Sequence, residues 1–479
     1  MTTTSHGTAR VLARVNVVAT ARPTFAVAPA LVQLDLARSL LRDLGAELVG
    51  PSEVVMTADD VDAALPEVDL DADVLLHVCA TFSDASPARG RYRDADRPIV
   101  RWAFREPGAV GARLWWNSLC GANLMGHALV RDGHDVRLVY GDPGEPAVRD
   151  ALRRALAGEL PPRASLPRST GERAPADVAR AALDRVRGRR IGALGDGPTG
   201  FTPSEYDADQ LRALLGLEIS PKPLDELFAS IRDVPVHVRE RERESATEWQ
   251  PSIAVLDGAE VDRFVATTVA LREWHESEHL DALAIRCWPE FPTELGMCPC
   301  SALSRLADEH VPTQCERDVH GAATMLLLDA LGTGPTYLVD TVDVVPEDNV
   351  VRFWHCGAAA TQLAADPDDA TQWVHANRKI GVTGNFALRP GRVVATRLTE
   401  DPSRPGTLRM LIAAGTALDA PNRFQGNTAD VRLDADAGAF VAALVTGGFP
   451  HHTVLAWTDV RPELRAVADE LGIEVIEFE

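Results

Sequence analysis

The order of strand-like and helix-like segments constrains the fold of this chain more than any other feature. In the first two thirds, short β-branched apolar runs alternate with segments whose apolar residues recur at helical spacing. After about residue 341 the pattern changes to short strands between turns rich in Gly, Pro and Asp. Alternating strands and helices are typical of doubly wound parallel sheets, and successive short strands are typical of a barrel or sandwich. The early strand-like runs are 11–19, 74–78, 99–102, 136–139, 190–194 and 282–287.

The sequence therefore predicts an α/β protein with two doubly wound parallel-sheet domains followed by a β-rich, barrel-like C-terminal domain. A Pro-rich stretch at 160–169 is typical of a linker between domains. We place the N-terminal α/β domain at 1–160, the central α/β domain at 161–340 and the C-terminal β-rich domain at 341–479. A chain of 479 residues with 46% hydrophobic content is long enough to build several cores.

Charge and composition exclude several classes of partner. The formal net charge of −22 argues against nucleic acid or an anionic membrane surface, because both are polyanions. No apolar run reaches 18 residues, so no membrane-spanning helix is predicted. The first ten residues lack the apolar stretch of a secretory signal, and the seven cysteines are sparse and odd in number. Both features favour a cytoplasmic protein with free thiols.

Candidate metal ligands lie where predicted elements begin or end. Glu316 stands between a strand-like run and a helical pattern, Asp340 is predicted to close a strand, and His355 closes a later strand. A histidine pair, His451 and His452, follows two glycines near the end of the chain. Two carboxylates with one or two imidazoles are a plausible ligand set for a divalent metal. Open α/β sheets also bind ligands beyond the carboxyl ends of their strands.

These segments resemble the L-fucose isomerase / L-arabinose isomerase family of ketol isomerases. The matching motifs occur in order as Arg-Pro at 22–23, Cys-Glu-Arg-Asp at 315–318, Asp340, His355, and Gly-Gly-x-x-His-His-Thr at 447–453. The resemblance implies that Glu316, Asp340 and His452 bind a divalent metal. His355 matches a further ligand of the arabinose isomerase branch. The implied metal is Mn²⁺, or another divalent cation such as Co²⁺ or Mg²⁺.

The activity implied by the resemblance is metal-dependent aldose–ketose isomerisation of a monosaccharide through a cis-enediol intermediate, an intramolecular oxidoreduction. The metal would act as a Lewis acid on the sugar oxygens, and Glu316 and Asp340 would be the acid–base pair. The sequence leaves open which sugar is used, and whether that sugar is neutral or anionic.

Several residues in the N-terminal domain are candidates for sugar binding. Arg22 matches an arginine that faces the sugar in fucose isomerases, so its contact is implied by the resemblance. Trp102 and Arg105 belong to the aromatic-rich stretch 102–116. Indole rings beside polar groups suit a sugar, whose C–H face packs on rings while its hydroxyls form hydrogen bonds. Core packing is the alternative for each tryptophan.

Other candidates for sugar binding come from the central and C-terminal domains. Trp288 and Glu290 begin a segment without regular periodicity that leads toward the candidate ligands. The Cys-Pro-Cys sequence at 298–300 lacks the spacing of strong zinc motifs, so we interpret it as a pocket wall rather than a structural zinc site. His451 is predicted to orient His452 or to shuttle a hydroxyl proton, with simple packing as the alternative.

The resemblance also implies a closed homo-oligomer, a trimer or hexamer, whose active sites are shared between subunits. The stretch 102–116 offers a physical reason, because its apolar surface is predicted to be exposed and exposed apolar patches usually mark interfaces. We expect Trp102 or Arg105 to lie near Glu316 of a neighbouring subunit.

Two other functions compete with the isomerase. A non-catalytic sugar-binding protein would explain two doubly wound domains but not the terminal histidine pair. A zinc peptidase would use His275 and His279 of a His-Glu-x-x-His motif, with Glu276 as general base. That motif has charged neighbours and runs directly into a predicted strand, so a solvated helix end is the better explanation.

Overall fold

The first sheet of the protein is five-stranded and wholly parallel. The computed structural model describes residues 13–479, so residues 11 and 12 of the predicted first strand and the segment 1–10 lie outside it. The elements of this part are β1 (Ala13–Thr20), α1 (Val27–Asp43), β2 (Ala46–Val49), α2 (Ala58–Ala64), β3 (Val74–Cys79), α3 (Ser86–Arg89), β4 (Ile99–Ala103), α4 (Ser118–Arg131), β5 (Val136–Tyr140) and α5 (Pro146–Leu156). The strand order is β2-β1-β3-β4-β5.

Helices cover both faces of this sheet. Successive side chains of a strand point to opposite faces, and those of β1 enter two different cores. Val17 packs in a core with Leu34 of α1 and Leu152 of α5. Val18 packs in another core with Leu119 and Met125 of α4. The sheet is therefore doubly wound, as its continuous apolar strands predict.

The second sheet is four-stranded and also wholly parallel. Its part of the chain contains α6 (Ala176–Val186), β6 (Arg190–Leu194), α7 (Ala208–Leu215), β7 (Glu218–Lys222), α8 (Leu224–Asp233), α9 (Val236–Trp249), α10 (Gly258–Ser277), β8 (Ala282–Ile285), α11 (Cys300–Asp308), β9 (Thr313–Gln314) and α12 (Val319–Ala330). The strand order is β7-β6-β8-β9. Ile191 packs in a core with α6 and α12, and Leu194 packs on the opposite face with α10.

The last part of the chain forms a closed antiparallel barrel. Its elements are β10 (Thr336–Val345), β11 (Val350–His355), β12 (Thr371–Trp373), β13 (Thr383–Ala387), β14 (Gly391–Glu400), β15 (Leu408–Ala417), β16 (Asn427–Leu433), α13 (Ala437–Thr446), β17 (His452–Ala456), α14 (Arg461–Leu471) and β18 (Glu474–Phe478). Six strands follow one another in the order β16-β11-β10-β17-β14-β15, and the β15–β16 pairing closes the barrel.

The predicted fold class is thus confirmed, with two doubly wound parallel sheets followed by a barrel. The domain boundaries at 160 and 340 stay predictions; strand β10, which contains Asp340, pairs within the barrel. Across residues 13–479, no helix is long and apolar enough to cross a membrane.

Asp340 lies inside its strand and not at its end, so the predicted strand end is wrong. Strand β10 pairs with β17 up to Asp340 and with β11 from Asp340 onward. The register shifts between Thr341 and Asp343, which marks a bulge. Bulges reorient side chains and are frequent beside active sites. Because the strand changes its pairing at Asp340, the local sequence pattern resembles a strand end.

Helix α4 joins the N-terminal sheet to the barrel through a close approach at Gly126. A Cβ atom added to Gly126 would lie 2.5 Å from the carbonyl oxygen of Val445 in α13. The obstacle is backbone, so it cannot rotate away as a flexible side chain would.

We expect Gly126→Ala to destabilise the fold by about 1–3 kcal/mol, the usual cost of overpacking, and to lower the melting temperature. Gly258→Ala is the matched control, because the first residue of α10 has open space around its Cβ position and alanine favours a helix. Differential scanning calorimetry of both variants checks this. Equal melting temperatures for the two variants would show that α4 and α13 are not tightly packed.

Candidate active site

Two candidate ligands face each other across neighbouring barrel strands. Asp340 of β10 pairs directly with His452, the first residue of β17. Side chains directly opposite in an antiparallel pair project from the same face, and Asp340 Oδ1 lies 3.5 Å from His452 Nε2. His355 ends β11, and its ring centroid lies 5.4 Å from that of His452. The barrel therefore supplies one carboxylate and two imidazoles to a single place.

Glu316 reaches the same place from the central domain. It lies in the loop between β9 and α12, where both Glu316 (φ 59°) and Arg317 (φ 56°) are left-handed. Non-glycine residues rarely adopt this conformation, and it is often found at functional sites. The Ser204 hydroxyl donates to the Glu316 carbonyl oxygen, and the Arg317 N–H donates to the Ile285 carbonyl oxygen at 3.0 Å. These bonds stabilise the unusual loop.

The side chain of Glu316 contacts both histidines of the terminal pair. Its Oε2 lies 3.2 Å from His451 Nε2 and 3.4 Å from His452 Nε2. His452 therefore stands between two carboxylates, one from the central domain and one from the barrel.

A buried ion pair fixes the orientation of His452. Asp318 Oδ2 lies 2.9 Å from His452 Nδ1, and the carboxylate accepts hydrogen bonds from Arg397 at 2.5 and 2.7 Å. Burial alone would raise the pKa of Asp318, but Arg397 and His452 hold that pKa well below its usual range. The ionised carboxylate therefore accepts a hydrogen bond from the protonated Nδ1 of His452. This bond directs the lone pair of His452 Nε2 toward Glu316 and Asp340.

His452 is neutral in this arrangement. Burial, and then the neighbouring His451, lower the pKa of its imidazole more than Asp318 and Glu316 raise it. A neutral imidazole with a free Nε2 is the form that binds a metal. Neither Asp318 nor Arg397 was assigned a role from the sequence. Asp318 lies within the Cys-Glu-Arg-Asp motif, whereas Arg397 carries no local signal.

The ligand atoms fit a divalent cation. Within residues 13–479, the buried atoms Asp340 Oδ1 and His452 Nε2 have no hydrogen-bond partner. Leaving such atoms unpaired is costly, so each requires an explanation. Two overlapping groups, Glu316–His451–His452 and Asp340–His355–His452, each bring their ligand atoms within 4.8 Å of one another. Carboxylate oxygens with imidazole nitrogens suit a cation such as Mn²⁺.

The N-terminal domain contributes a side chain that the sequence analysis did not identify. Asn117 Nδ2 donates to Asp340 Oδ2 at 3.3 Å. Asn117 precedes α4 in a left-handed conformation (φ 48°), and its backbone N–H donates to Glu106 at 2.7 Å. All three parts of the chain therefore meet at this site.

Three of the candidate ligands line a cleft. Five of the predicted site residues line it: Arg22, Trp288, Glu316, Asp340 and His355. The prediction that 298–300 forms a pocket wall is confirmed. Apolar rings and small polar groups complete the lining, a combination that suits a sugar. These further residues include Thr24, Phe25, Phe82, Asn117, Trp354, His375, Asn377 and Arg378.

Two arginines gather around the ring of Trp288 in this cleft. The guanidinium of Arg22 lies 4.1 Å from the ring centroid, and that of Arg378 lies 6.0 Å from it. Arg22 Nη2 is 3.7 Å from Asp84 Oδ2. Burial lowers the pKa of Arg22, and the charge of Arg378 adds to this lowering against the opposing effect of Asp84. The guanidinium groups of Arg22 and Arg378 are therefore close enough for their charges to repel each other.

Three predicted sugar-binding residues lie away from the cleft. Trp102 is fully buried, and its Nε1 donates to the carbonyl oxygen of Gly141 at 2.9 Å. Arg105 forms an ion pair with Glu145 at 2.6 Å. Glu290 forms an ion pair with Arg286 at 2.5 Å. Arg105 Nη1 also donates to the carbonyl oxygen of Val344 in β10 at 2.9 Å, so each of the three side chains is engaged by other protein groups.

The expected exposed patch at 102–116 is wrong in its main part. Trp102, Phe104 and Trp116 are all buried in the core of their own domain. Edge-to-face contacts link Phe104 to both tryptophans. These side chains are buried within their own domain, so little of their apolar surface is left for a subunit interface. The oligomeric state therefore stays a prediction, and this stretch does not support it.

The zinc-peptidase hypothesis fails on helix geometry. Helix α10 ends at Ser277, and His279 follows it as an exposed residue in a left-handed conformation (φ 51°). Two metal-binding histidines of this motif must lie on one face of a continuous helix. His275 and His279 do not meet that requirement.

We expect Asp318→Asn to destabilise the protein by about 3–5 kcal/mol, because removing one partner leaves the buried Arg397 charge uncompensated. Asp209→Asn is the control, since it breaks an exposed pair with Arg212 and should cost no more than about 1 kcal/mol. Thermal and denaturant unfolding of both variants measure this. Equal losses in the two variants would contradict a structural role for the Asp318–Arg397 pair.

No protein-family model matches this chain. A protein named sulfoquinovose isomerase from Alkalicoccus urumqiensis is 36% identical over 430 residues, which cover 90% of this chain and 91% of the relative. Proteins of the same name from Priestia aryabhattai and Clostridium sp. (strain MSTE9) are 31% and 30% identical. Their matches cover 95% of this chain and 96% and 97% of the relatives. The chain is therefore an aldose–ketose isomerase and belongs to the sulfoquinovose isomerase family of sugar isomerases.

Proposed function

We propose that this isomerase converts sulfoquinovose into the corresponding ketose in a metal-dependent reaction. The substrate follows from the name that its relatives share. The observation that carries the metal dependence is the convergence of Glu316, Asp340 and His452. In the described part of the chain, two of the converging atoms are buried without a hydrogen-bond partner. A non-catalytic sugar-binding protein would have no use for such a group.

The proposed ligands are Glu316, Asp340 and His452, with His355 as a further ligand. This set suits Mn²⁺, and Co²⁺ or Mg²⁺ as alternatives. A cation bound there would polarise the sugar oxygens on C1 and C2. The resemblance to L-fucose isomerase and L-arabinose isomerase supports the same ligand set.

Glu316 is the general base in this proposal. The reaction moves a proton from C2 of the aldose to C1 through a cis-enediol, while the C2 hydroxyl proton passes to the C1 oxygen. Burial raises the pKa of the Glu316 carboxyl, but the hydrogen bond to His451 and the neighbouring imidazoles outweigh burial, so the net pKa lies below its ordinary value. The carboxylate is therefore ionised and ready to accept a proton.

Asp340 is the partner of Glu316 in proton transfer. It approaches from the barrel, whereas Glu316 approaches from the central domain, so the two carboxylates can act on different sides of the bound sugar. Asn117 holds Asp340 Oδ2 at 3.3 Å, which leaves Oδ1 directed toward His452. Positioned acid–base groups of this kind typically contribute about 10²- to 10⁴-fold to the rate.

Two further proposals concern the assembly and the location of the enzyme. A closed homo-oligomer, trimer or hexamer, with shared active sites rests on the resemblance to the fucose and arabinose isomerases alone. A cytoplasmic location rests on the sparse cysteines, all of which are free in the described residues.

We expect Glu316→Gln and Asp340→Asn each to lower kcat at least about a hundredfold, since each removes a proton-transfer group. Ketose formation from sulfoquinovose, followed by NMR, measures the rate, and circular dichroism checks folding. Glu205→Gln is the control, because Glu205 is exposed and its ion pairs within residues 13–479 are with Arg89 and Arg131. If either site variant kept more than about a tenth of the wild-type kcat, less than about 1.4 kcal/mol would be lost and the assigned role would be wrong.

A further inference from the structure

Two arginines of the cleft lie close to the ring of Trp288. Arg22 pairs with Asp84 at 3.7 Å. Arg378 also lines the cleft, and within residues 13–479 its guanidinium forms no ion pair with a carboxylate. Among residues 13–479, Asp84 is the carboxylate within ion-pair distance of either of these two guanidinium groups, and Glu316 acts on Arg22 from farther away, in a chain whose formal net charge is −22. A local cationic site in an acidic protein requires an explanation beyond general composition.

The loop that carries Arg378 is held in a defined shape. The backbone N–H groups of Asn377 and Arg378 donate to His375 Nδ1 at 3.2 Å, and the Lys379 N–H donates to the His375 carbonyl oxygen at 2.8 Å. His375, Asn377 and Arg378 all line the cleft. The loop therefore presents its side chains to the cleft from a fixed backbone.

Asn377 gives a second sign of a missing ligand. Its side-chain oxygen is buried and finds no hydrogen-bond partner among residues 13–479. Asn377 also lines the cleft beside Arg378, so its amide can offer a polar group to a ligand there. An anion with several acceptor oxygens would satisfy both side chains at once.

The cationic group lies at a suitable distance from the proposed reaction centre. The ring of Trp288 packs 4.8 Å from that of Phe201, which in turn packs 5.9 Å from that of His451. Phe201 thus links Trp288 to His451, and both arginines line the same cleft as Glu316 and Asp340. A hexose that places C1 and C2 near Glu316 and Asp340 would extend its other end toward Trp288.

We propose that Arg378, together with Arg22 and Asn377, binds the sulfonate of the substrate and selects for it. This inference rests on the proposed function, since sulfoquinovose is a glucose frame with a sulfonate on C6. A sulfonate is a monoanion whose three oxygens can accept hydrogen bonds from both guanidinium groups. The phosphate of a sugar phosphate resembles a sulfonate in shape but carries more negative charge. The test therefore includes a sugar phosphate.

The test compares wild-type enzyme with Arg378→Gln on sulfoquinovose and on quinovose, the same sugar without the sulfonate. A lost charge-assisted hydrogen bond corresponds to a fall of about tenfold to a hundredfold. We expect kcat/KM for sulfoquinovose to fall by this factor, chiefly through KM, while the value for quinovose changes less than about threefold. Lys379→Gln is the matched control, because it removes the same charge from an exposed neighbour outside the cleft lining.

Calorimetric binding to the same proteins separates this inference from the proposed reaction. Sulfoquinovose should bind wild-type enzyme at least about tenfold more tightly than quinovose, and Arg378→Gln should abolish the difference. Binding of this kind without turnover would contradict the proposed function and leave the sulfonate site standing. An equal loss for both sugars, or no loss for either, would overturn the sulfonate site. Tighter binding of glucose 6-phosphate than of sulfoquinovose would also overturn it, in favour of a phosphate site.

Discussion

The buried carboxylate of Asp318 is the interaction on which the active site depends. It lies in the central domain, yet its partners Arg397 and His452 belong to strands β14 and β17 of the barrel. Both side chains of the Asp318–Arg397 pair are fully buried. Because the carboxylate is ionised, it fixes the tautomer of His452 and ties the loop that carries Glu316 to the barrel. A single charge thus sets both the relation between domains and the direction of a candidate ligand.

Strained backbone conformations and contacts between domains position the site residues, rather than one rigid helix or strand. Glu316 stands on a left-handed loop between β9 and α12, Asp340 on a bulged strand, and Asn117 at a left-handed helix start. The left-handed conformation is uncommon outside glycine. Hydrogen bonds with Ser204 and Ile285 stabilise it at Glu316, and a hydrogen bond to Glu106 stabilises it at Asn117. Such strain is maintained only where the surrounding structure determines it. The ligand group is therefore held in place before substrate arrives.

Much of the fold and part of the site could be predicted from the sequence. The alternation of apolar runs gave the two parallel sheets, because buried parallel strands require continuous apolar segments. Glu316, Asp340 and His355 could be selected because each has a recognisable local context at a predicted element end. Asp340 was nevertheless misplaced, since its strand continues by changing partners, and pairing partners are remote in sequence.

Other features depend on long-range packing and leave no local pattern. Arg397 meets Asp318 across 79 residues, and Asn117 meets Asp340 across 223. Trp102 looked like a sugar-contacting or interfacial residue, but only the tertiary structure shows that its own core buries it. In the sequence, Arg378 lies in a polar segment that resembles many surface loops. Its place in the cleft depends on the fold of the whole chain.

Metal content measured against turnover tests whether this isomerase depends on a divalent cation. The enzyme is stripped with a chelator, its metal content is verified by mass spectrometry, and Mn²⁺ is returned in steps while ketose formation from sulfoquinovose is followed. The account predicts no turnover in the stripped enzyme and full recovery at about one Mn²⁺ per subunit. Full turnover by folded enzyme that is verified to be free of metal would contradict it.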